Sequence, residues 1–556
     1  MNTTILSSWQ RFIGLLKLDK KDIKQIFYYA IFAGLVALSL PLGIQAIINL
    51  IQGAQVSSSW IILVILVTFG VGFQGALQIM QKRILENVQQ KIFTRSSFEF
   101  AYRFPKIKMS ELRNYYPPEL ANRFFDTLTV QKGLSKILID FPAAILQIIF
   151  GLALLSFYHP FFIIYGLLLI ILIYIVFKYT AKKGLDTSLK ESKSKYRVAH
   201  WIQEIARSLI SFKLSGKTKL AMSRNDELTT AYLNARENHF RILLQQFSLM
   251  IVFKILVTAG LLVIGGLLVL NQQMNIGQFV AAEIIILLVI GSVEKLIAGL
   301  ESFYDVLTSL EKIGQVVDKD LDVQTGIDPF NTKNSFRVEL DDITYITADQ
   351  NTILEDVSFT ITIKDRILLT GPSGSGKTTL LKIISGLISP THGAMYVNDI
   401  ALKGIMPNAY RAEIGQVLPD QTPFEGTILE NITFGKEDIP QDQIHWVLKN
   451  LGLLNFVKKQ PLGLKTILYP EGQQIPYTIS KRIILARAII HTPKLLLLKD
   501  PLDHFEKEEA QEIINFLTSP ERPWGIIVSS RNECWEIDIN RTIHLNEGII
   551  TIKDNV

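Results

Sequence analysis

The first half of the chain is dominated by six long apolar runs, which are separated by polar segments of two very different lengths. Because a helix rises about 1.5 Å per residue, each run is long enough to cross a hydrocarbon core of about 30 Å. The pattern therefore predicts six membrane-spanning helices, over residues 25–51, 58–80, 137–158, 161–180, 247–270 and 277–300.

The charges between the runs predict how these helices cross the membrane. The short segments 52–57, 159–160 and 271–276 contain no Lys or Arg, whereas the long segments 81–136 and 181–246 are rich in both. Basic residues are retained on the cytoplasmic side of a membrane. We therefore expect a multi-pass protein of a bacterial-type inner membrane, surrounded by lipid, with both termini and both long segments in the cytoplasm.

Both long segments also show apolar residues at helical spacing, for example Ile84, Val88 and Ile92 in the first and Ile202 and Ala206 in the second. This spacing is typical of amphipathic helices. The spanning helices are therefore expected to continue beyond the membrane and to turn back as helical hairpins that can touch a cytoplasmic domain.

The pattern changes after the sixth run. Residues 311–334 are polar and include Gly and Pro, which predicts a linker. Beyond it apolar and polar residues alternate, as at Val338 and Leu340, which is typical of strands. The chain is therefore predicted to hold a helical membrane domain over residues 1–310 and a soluble α/β domain over residues 335–556, which is cytoplasmic like both termini.

Composition supports a membrane protein. Of the 556 residues 48% are hydrophobic and only 19% are charged, and the mean hydropathy of +0.27 is high for a wholly soluble chain. The net charge of +6 would also suit a nucleic-acid binder, but the basic residues flank the apolar runs, so we expect no nucleic-acid partner. The single cysteine, Cys534, excludes an intrachain disulfide.

Among the few charged residues inside predicted spans, two lie at similar depth. Lys254 follows the cytoplasmic start of the fifth span, and Glu294 precedes the cytoplasmic end of the sixth. We expect these side chains to interact or to share a water-filled cavity. For Lys254 the alternative is that its ammonium group reaches out to the membrane interface.

The soluble domain contains the most specific motif of the chain. A predicted strand at 366–370 is followed by Gly371-Pro-Ser-Gly-Ser-Gly-Lys-Thr-Thr379 and then by a predicted helix. This order fits the P-loop pattern G-x-x-x-x-G-K-[ST]. The glycines allow several backbone N–H groups to face one anion, and the new helix adds the positive end of its dipole.

The motif predicts a nucleoside triphosphate site. Lys377 can reach the β- and γ-phosphates, and the Thr378 hydroxyl is the candidate ligand for Mg²⁺. The candidate nucleotide-binding residues are Gly371, Pro372, Ser373, Gly374, Ser375, Gly376, Lys377, Thr378 and Thr379.

Six spans with long cytoplasmic hairpins followed by a P-loop domain resemble an ATP-binding cassette (ABC) exporter half-transporter, over nearly the whole chain. The sixth span with its exit, 276–314, and the segment 203–213 look most similar to the type I secretion and peptide-exporter branch. The resemblance implies a multidomain fold, in which an all-α six-helix transmembrane domain is followed by an α/β P-loop ATP-binding cassette.

The resemblance also implies function. It implies ATP and Mg²⁺ as cofactors, outward transport, and either a homodimer or a heterodimer with a homologous half-transporter, which an adaptor and an outer channel can join. Two cassettes of this family close face to face on two ATP molecules. Each ATP is held between the P-loop of one cassette and the signature loop of the other.

Two of the other family motifs are altered. The expected Q-loop glutamine falls on Pro419, with Gln421 close but out of register. The signature Leu-Ser-Gly-Gly-Gln falls on residues 475–479, which read Ile-Pro-Tyr-Thr-Ile. Pro476 has no N–H, and Tyr477 adds bulk where backbone should approach a γ-phosphate.

The catalytic motifs are altered as well. The Walker B strand at 495–498 is followed by Lys499-Asp500, where the family has Asp-Glu. In this register an ammonium replaces a carboxylate that organises Mg²⁺, and Asp500 is the remaining candidate for the general base. A shift of one residue makes Asp500 the magnesium partner and leaves Pro501 as the base. The switch histidine falls on Ser530.

The aromatic residue that stacks on adenine falls near Thr347, with Tyr345 close by.

General-base catalysis contributes about 10²–10⁴-fold, and positioned Mg²⁺ contributes several kcal/mol. The altered motifs therefore favour an exporter subunit that binds ATP but hydrolyses it slowly or not at all, with Lys499 partly replacing Mg²⁺. Two alternatives stay open: an active homodimeric exporter with Asp500 as base, and a non-transporting, nucleotide-sensing membrane scaffold.

Overall fold

The computed structural model describes residues 7–52, 58–113, 115–330 and 336–554, without the side chains at 172, 175–177, 179–181 and 537. Residues 53–57 of a predicted loop, and the expected boundary of the soluble domain at 334 and 335, lie outside the described residues. The chain divides into two compact units, Met1–Ile107 with Asn114–Asp320 and Lys108–Arg113 with Leu321–Val556.

The described chain up to residue 320 is built from helices and their connections, as predicted. The α-helices are α1 (Ser8–Leu18), α2 (Lys20–Ala37), α3 (Ser39–Gln52), α4 (Ser58–Arg103), α5 (Met109–Leu112), α6 (Pro117–Ala121), α7 (Asp126–Ser135), α8 (Phe141–Tyr158), α9 (Phe161–Arg207), α10 (Leu209–Leu214), α11 (Leu220–Leu270) and α12 (Ile276–Val317).

Within the described residues, five helical segments are long and apolar enough to cross a membrane. They are Lys20–Gln52, Ser58–Lys106, Pro117–Ser156, Leu220–Leu270 and Ile276–Val317. The remaining predicted span, 161–180, falls at the start of α9, where the described apolar part is the shorter Phe161–Ile171.

The long polar segments are helical, which confirms the prediction that the helices continue past the apolar runs. Helices α4, α9 and α11 have 46, 47 and 51 residues. Helix α12 likewise continues to Val317, so residues 311–317 of the predicted linker are helical. Helices α9 and α11 pack along each other as a hairpin, with the short α10 at its tip.

Glycines allow the helices of this unit to approach closely. A Cβ atom at Gly151 of α8 would lie 3.0 Å from a methyl of Val289 in α12. A Cβ atom at Gly133 of α7 would lie only 2.2 Å from a methyl of Val306 in α12. Small residues at such crossings are a common feature of packed membrane helices, and here they place α12 against both α7 and α8.

The predicted contact between the two intramembrane charges is confirmed. The Nζ atom of Lys254 in α11 lies 3.0 Å from Oε1 of Glu294 in α12. The ion pair compensates both charges where isolated ones would be costly.

The second unit contains the described strands of the chain. These are β1 (Arg337–Ile346), β2 (Thr352–Thr362), β3 (Arg366–Thr370), β4 (His392–Val397), β5 (Ile400–Ala401), β6 (Ile414–Val417), β7 (Gly426–Thr427), β8 (Ile467–Leu468), β9 (Leu495–Lys499), β10 (Gly525–Ser529), β11 (Arg541–Asn546) and β12 (Ile549–Asp554). Its further helices are α13 (Lys377–Ile384), α14 (Pro407–Ala412), α15 (Ile428–Thr433), α16 (Gln441–Asn450), α17 (Leu454–Lys459), α18 (Tyr477–Ile489) and α19 (Lys507–Thr518).

The main sheet has the strand order β12-β11-β3-β10-β9-β6, in which only β12 runs antiparallel to its neighbour. The leucines of β9 show why this sheet is stable. Leu495 and Leu497 pack into the core on one face and Leu496 and Leu498 into the core on the other, and all four are fully buried. A parallel sheet is covered on both faces in this way.

The order of the strands positions the site. Strands β3, β10 and β9 are parallel neighbours, so their carboxyl ends meet at the same edge of the sheet. Ligands of open α/β sheets bind at that edge. The residues that follow these strands, Gly371, Ser530 and Asp500, are thereby brought together.

Candidate nucleotide site

The loop between β3 and α13 depends on its glycines. Gly371, Gly374 and Gly376 have φ angles of +135°, +85° and +103°, values that residues with a side chain rarely adopt. A Cβ atom at Gly371 would lie 2.0 Å from the carbonyl oxygen of Leu545, and one at Gly376 would lie 2.8 Å from that of Ile353. The loop is therefore closed against β11 and β2 and has no room for side chains at positions 371 and 376.

Lys377 is held by its own loop. Its ammonium group donates hydrogen bonds to the carbonyl oxygens of Gly371, at 2.8 Å, and Pro372, at 2.6 Å, and to the hydroxyl of Ser375, at 3.3 Å. Burial lowers the pKa of Lys377, and the positive charge of Lys499 lowers it further. Lys377 and Lys499 both line the cleft next to this loop.

The loop lines a cleft of about 810 Å³. Of the candidate P-loop residues, all but Pro372 and Ser375 line this cleft. The oxygen atoms of those two residues accept hydrogen bonds from Lys377 instead. The remaining lining residues are Ile353, Leu369, Thr370, Lys499, Asp500, Asp503, His504, Ser529, Ser530 and Arg531.

Lys499 and Asp500 form an ion pair at the wall opposite the P-loop. Lys499 Nζ lies 2.5 Å from Asp500 Oδ2 and donates a hydrogen bond of 3.4 Å to the hydroxyl of Ser529. Asp500 has a left-handed φ of +46°, and its N–H donates to the carbonyl oxygen of Ser529 at 2.9 Å. The Lys499 ammonium group is thus bonded to a carboxylate oxygen of Asp500, which a general base would need to accept a proton from the attacking water.

The residues around Thr378 do not fit the Mg²⁺ that a P-loop usually implies. Mg²⁺ binds such sites through one or two carboxylates together with phosphate oxygens and water. Thr378 lines the cleft, but of the two carboxylates there Asp500 is paired with Lys499, and burial and the charge of Asp500 raise the pKa of Asp503.

The Q-loop region does not supply a polar side chain to the cleft. The Gln421 carboxamide oxygen accepts a 3.1 Å hydrogen bond from the N–H of Leu418, so this side chain stabilises the turn in which it lies. Neither Gln421 nor Pro419 is among the residues that line the cleft.

The signature segment presents the side chain of Tyr477 where the family motif presents backbone N–H groups. Pro476 is the N-cap of α18 and has no N–H to donate, and Tyr477 follows as the first helical residue with 51% of its surface exposed. The Tyr477 ring packs edge to face against His504, with 5.5 Å between the ring centroids.

The residues predicted nearest to adenine do not offer an aromatic surface. Tyr345 is only 8% exposed, and its hydroxyl accepts a 2.7 Å hydrogen bond from Arg113. The Thr347 hydroxyl accepts a hydrogen bond from the N–H of Asn351. Neither Tyr345 nor Thr347 lines the cleft.

Sequence reasoning gave no role to Asp503, His504 and Arg531, which the fold places in the cleft. Burial, and next the charge of Asp500, raise the pKa of Asp503. The signal that could have found all three is their position just beyond the carboxyl ends of β9 and β10, where side chains of a parallel sheet converge.

Residues 25–293 match the family "ABC transporter transmembrane region", and residues 354–503 match the family "ABC transporter". The chain belongs to the ABC transporter family. The predicted order, a helical transmembrane domain followed by a sheet-containing cassette, is therefore confirmed, and ATP binding is the activity of this cassette type.

A solved structure shows the same fold. The chain is similar to a bacterial Atm1-family ABC exporter with ATP bound, at a TM-score of 0.83 and 14% identity, over 96% of this chain and 94% of the other. The fold is thus that of an ABC exporter half-transporter.

Curated relatives match over shorter parts of this chain. The chain is 28% identical to ABC transporter B family member 17 of Arabidopsis thaliana, over 39% of this chain. It is 24% identical to the microcin-J25 export ATP-binding/permease protein of Escherichia coli, over 69% of this chain. The matches span 18% and 66% of the length of these two relatives.

Proposed function

We propose that this chain is the ATP-binding subunit of a membrane ABC exporter and that its own cassette hydrolyses ATP slowly or not at all. The observation that carries the proposal is the ion pair of Lys499 and Asp500, 2.5 Å apart, opposite the P-loop. The positive φ angles of the glycines in the P-loop wall support phosphate binding there. The opposite wall has a cation in place of a carboxylate, and Ser530 where the switch histidine is expected.

The proposed cargo is a peptide, a protein or another bulky substrate that leaves the cytoplasm. The similarity to a microcin-J25 export protein supports this class. So does the resemblance of the sixth span and its exit to the type I secretion and peptide-exporter branch. An adaptor and an outer channel belong to the same proposal.

The proposed location is a bacterial-type inner membrane, with both termini and the cassette in the cytoplasm. The absence of Lys and Arg from the short segments 159–160 and 271–276, and their abundance in 81–136 and 181–246, support this orientation.

ABC exporters of this fold work as dimers, and we propose a partner half-transporter with more complete motifs. With such a partner, one composite site has Lys499 and Ser530 of this chain, and the other has its altered signature at Tyr477. The tip of the α9–α11 hairpin exposes Ile210 and Leu214, with 72% and 82% of their surfaces accessible. Exposed apolar side chains of this kind support a contact with a second chain.

The test measures ATP binding and ATP turnover of the purified full chain in lipid. We expect binding without turnover, and Lys377→Ala should weaken binding at least about tenfold because charge-assisted contacts to phosphate are lost. Lys382→Ala is the control, since Lys382 lies in the same helix but pairs with Asp420 away from the cleft. Turnover that Lys377→Ala abolishes would contradict slow hydrolysis.

An active homodimeric exporter is the second candidate, because Asp500 still lines the cleft. It requires turnover by the chain alone, lost in both Lys377→Ala and Asp500→Asn. The same assay therefore separates the two functions.

A further inference from the structure

The charges that line the cleft suit a polyphosphate. Among the described lining residues, Lys377, Lys499 and Arg531 carry positive charge, while Asp500 and Asp503 carry negative charge. Leaving aside His504, the cleft therefore has one more positive than negative charge. Oxygen-rich anions are bound by such clusters of ammonium and guanidinium groups.

Lys499 carries the same net charge as the family's carboxylate together with its bound Mg²⁺. A carboxylate together with a Mg²⁺ ion has a net charge of one positive unit, and so does the single ammonium of Lys499. The field that phosphate oxygens meet is therefore similar with Lys499 and with the carboxylate–metal pair of the family. An ammonium also repels a dication, so the same residue that replaces the metal disfavours its entry.

The surroundings of Lys499 keep its ammonium in the cleft. Asp500 Oδ2 and the Ser529 hydroxyl contact Nζ from the ends of the neighbouring strands β9 and β10. The Lys499 side chain is 16% exposed, so it is held within the wall rather than extended into solvent. Lys377 lines the same cleft as Lys499, and the positive charge of Lys499 contributes to the lowering of the pKa of Lys377.

The cleft offers little to a nucleobase. None of the described residues that line it is Phe, Tyr or Trp, and the lining imidazole of His504 packs against Tyr477. The larger apolar side chains of the lining are Ile353 and Leu369. The ring of Tyr345 is buried in the core, with its hydroxyl bonded to Arg113. Recognition by base stacking is therefore weak, and the phosphates carry the affinity.

We infer that this cleft is a magnesium-independent site for a triphosphate group, in which the Lys499 ammonium takes the place of the metal ion. The inference rests on the proposed nucleotide binding and goes beyond it, since it states which form of the ligand is bound. The ligand class is a free triphosphate, either as a nucleotide with any base or as inorganic tripolyphosphate.

The experiment measures equilibrium binding of ATP, GTP and inorganic tripolyphosphate to the purified full chain in lipid, in excess EDTA and in excess Mg²⁺. We expect all three to bind in EDTA with affinities within about tenfold of one another, and Mg²⁺ not to increase them. Each affinity should fall at least about tenfold in Lys377→Ala. The tripolyphosphate arm separates recognition of phosphate from recognition of the base.

Two substitutions at one position sharpen the test. Lys499→Asp recreates a carboxylate and should weaken binding in EDTA at least about tenfold, with recovery in Mg²⁺. Lys499→Met removes the charge while keeping a long side chain, and it should weaken binding in EDTA without recovery in Mg²⁺. Lys459→Asp, an exposed change of equal charge outside the cleft, should leave both values unchanged.

The outcomes separate this inference from the proposed function. ATP binding that needs Mg²⁺ in the unmodified chain would overturn the inference and leave nucleotide binding intact. ATP binding in EDTA without tripolyphosphate binding would overturn the ligand class. Failure of every ligand under both conditions would overturn the proposed function as well. Should Lys499→Asp fold poorly, the comparison of EDTA with Mg²⁺ in the unmodified chain still decides.

Discussion

The P-loop wall of the cleft and the wall opposite it are built on the same sheet, but they depend on different parts of the polypeptide. The P-loop wall works through backbone, because Gly371 and Gly376 sit at φ angles of +135° and +103° with no room for a side chain. The opposite wall works through side chains that extend past the buried ends of β9 and β10, among them Lys499, Asp500 and Ser530.

This difference explains how one wall can change while the other is kept. The leucines of β9 hold the sheet together, and the chemistry starts only at Lys499, after the last of them. A substitution at 499 or 530 alters charge in the cleft without disturbing the core. A substitution at Gly371 disturbs the loop itself. Single substitutions can therefore change the catalytic side chains more easily than they can change the backbone that binds phosphate.

The largest predicted effect distinguishes the core of the sheet from the wall of the cleft. Leu497→Ala should lower the free energy of opening of the sheet by about 2–5 kcal/mol, because a fully buried side chain is removed. Lys499→Met, two residues further on, should leave that free energy almost unchanged. Amide hydrogen exchange over β9 and β10 in the full chain measures both. Similar losses from the two variants would show that the wall is part of the core.

The second prediction concerns the P-loop wall. Gly371→Ala should abolish ATP binding, since the added Cβ would lie 2.0 Å from a carbonyl oxygen. The positive φ alone should lower the local free energy of unfolding by about 1–3 kcal/mol, and the close contact should lower it further. Gly374→Ala is the matched control, because its φ is also positive but its Cβ would meet nothing within 4 Å. Equal binding by the two variants would mean that contact with β11 does not shape the loop.

The smallest predicted effect lies in the opposite wall. Asp500→Asn removes a negative charge and frees Lys499, so ATP affinity in EDTA should rise about threefold to tenfold. Asp420→Asn provides the control, since Asp420 is outside the cleft and pairs with Lys382. Loss of measurable turnover in Asp500→Asn would instead identify Asp500 as a general base.

Local pattern was sufficient for much of this protein. The apolar runs predicted a helical membrane domain, and the strand-glycine-helix order predicted the P-loop. The two charges in neighbouring spans, Lys254 and Glu294, could be paired because helical rise converts residue number directly into depth. Each of these inferences needs only neighbours along the chain or a single geometric rule.

Other features of the site could not be predicted in this way. Tyr345 looked suitable for stacking on a base, but its ring is buried between strands and its hydroxyl is taken by Arg113, more than two hundred residues earlier in the chain. Asp503, His504 and Arg531 were given no role, because their relevance depends on the loops beyond β9 and β10 converging beside the P-loop.

Local sequence was therefore enough to predict which elements form, where the phosphate loop lies and which family residues are replaced. The pairing of Lys499 with Asp500, the contact of Ser529 from the next strand and the effect of the Lys499 charge on Lys377 became evident only from the folded domain. Helices, strands and glycine turns follow from short-range sterics and hydrophobic periodicity. The electrostatics of the cleft arise instead from parallel strand pairing between segments that are far apart in sequence.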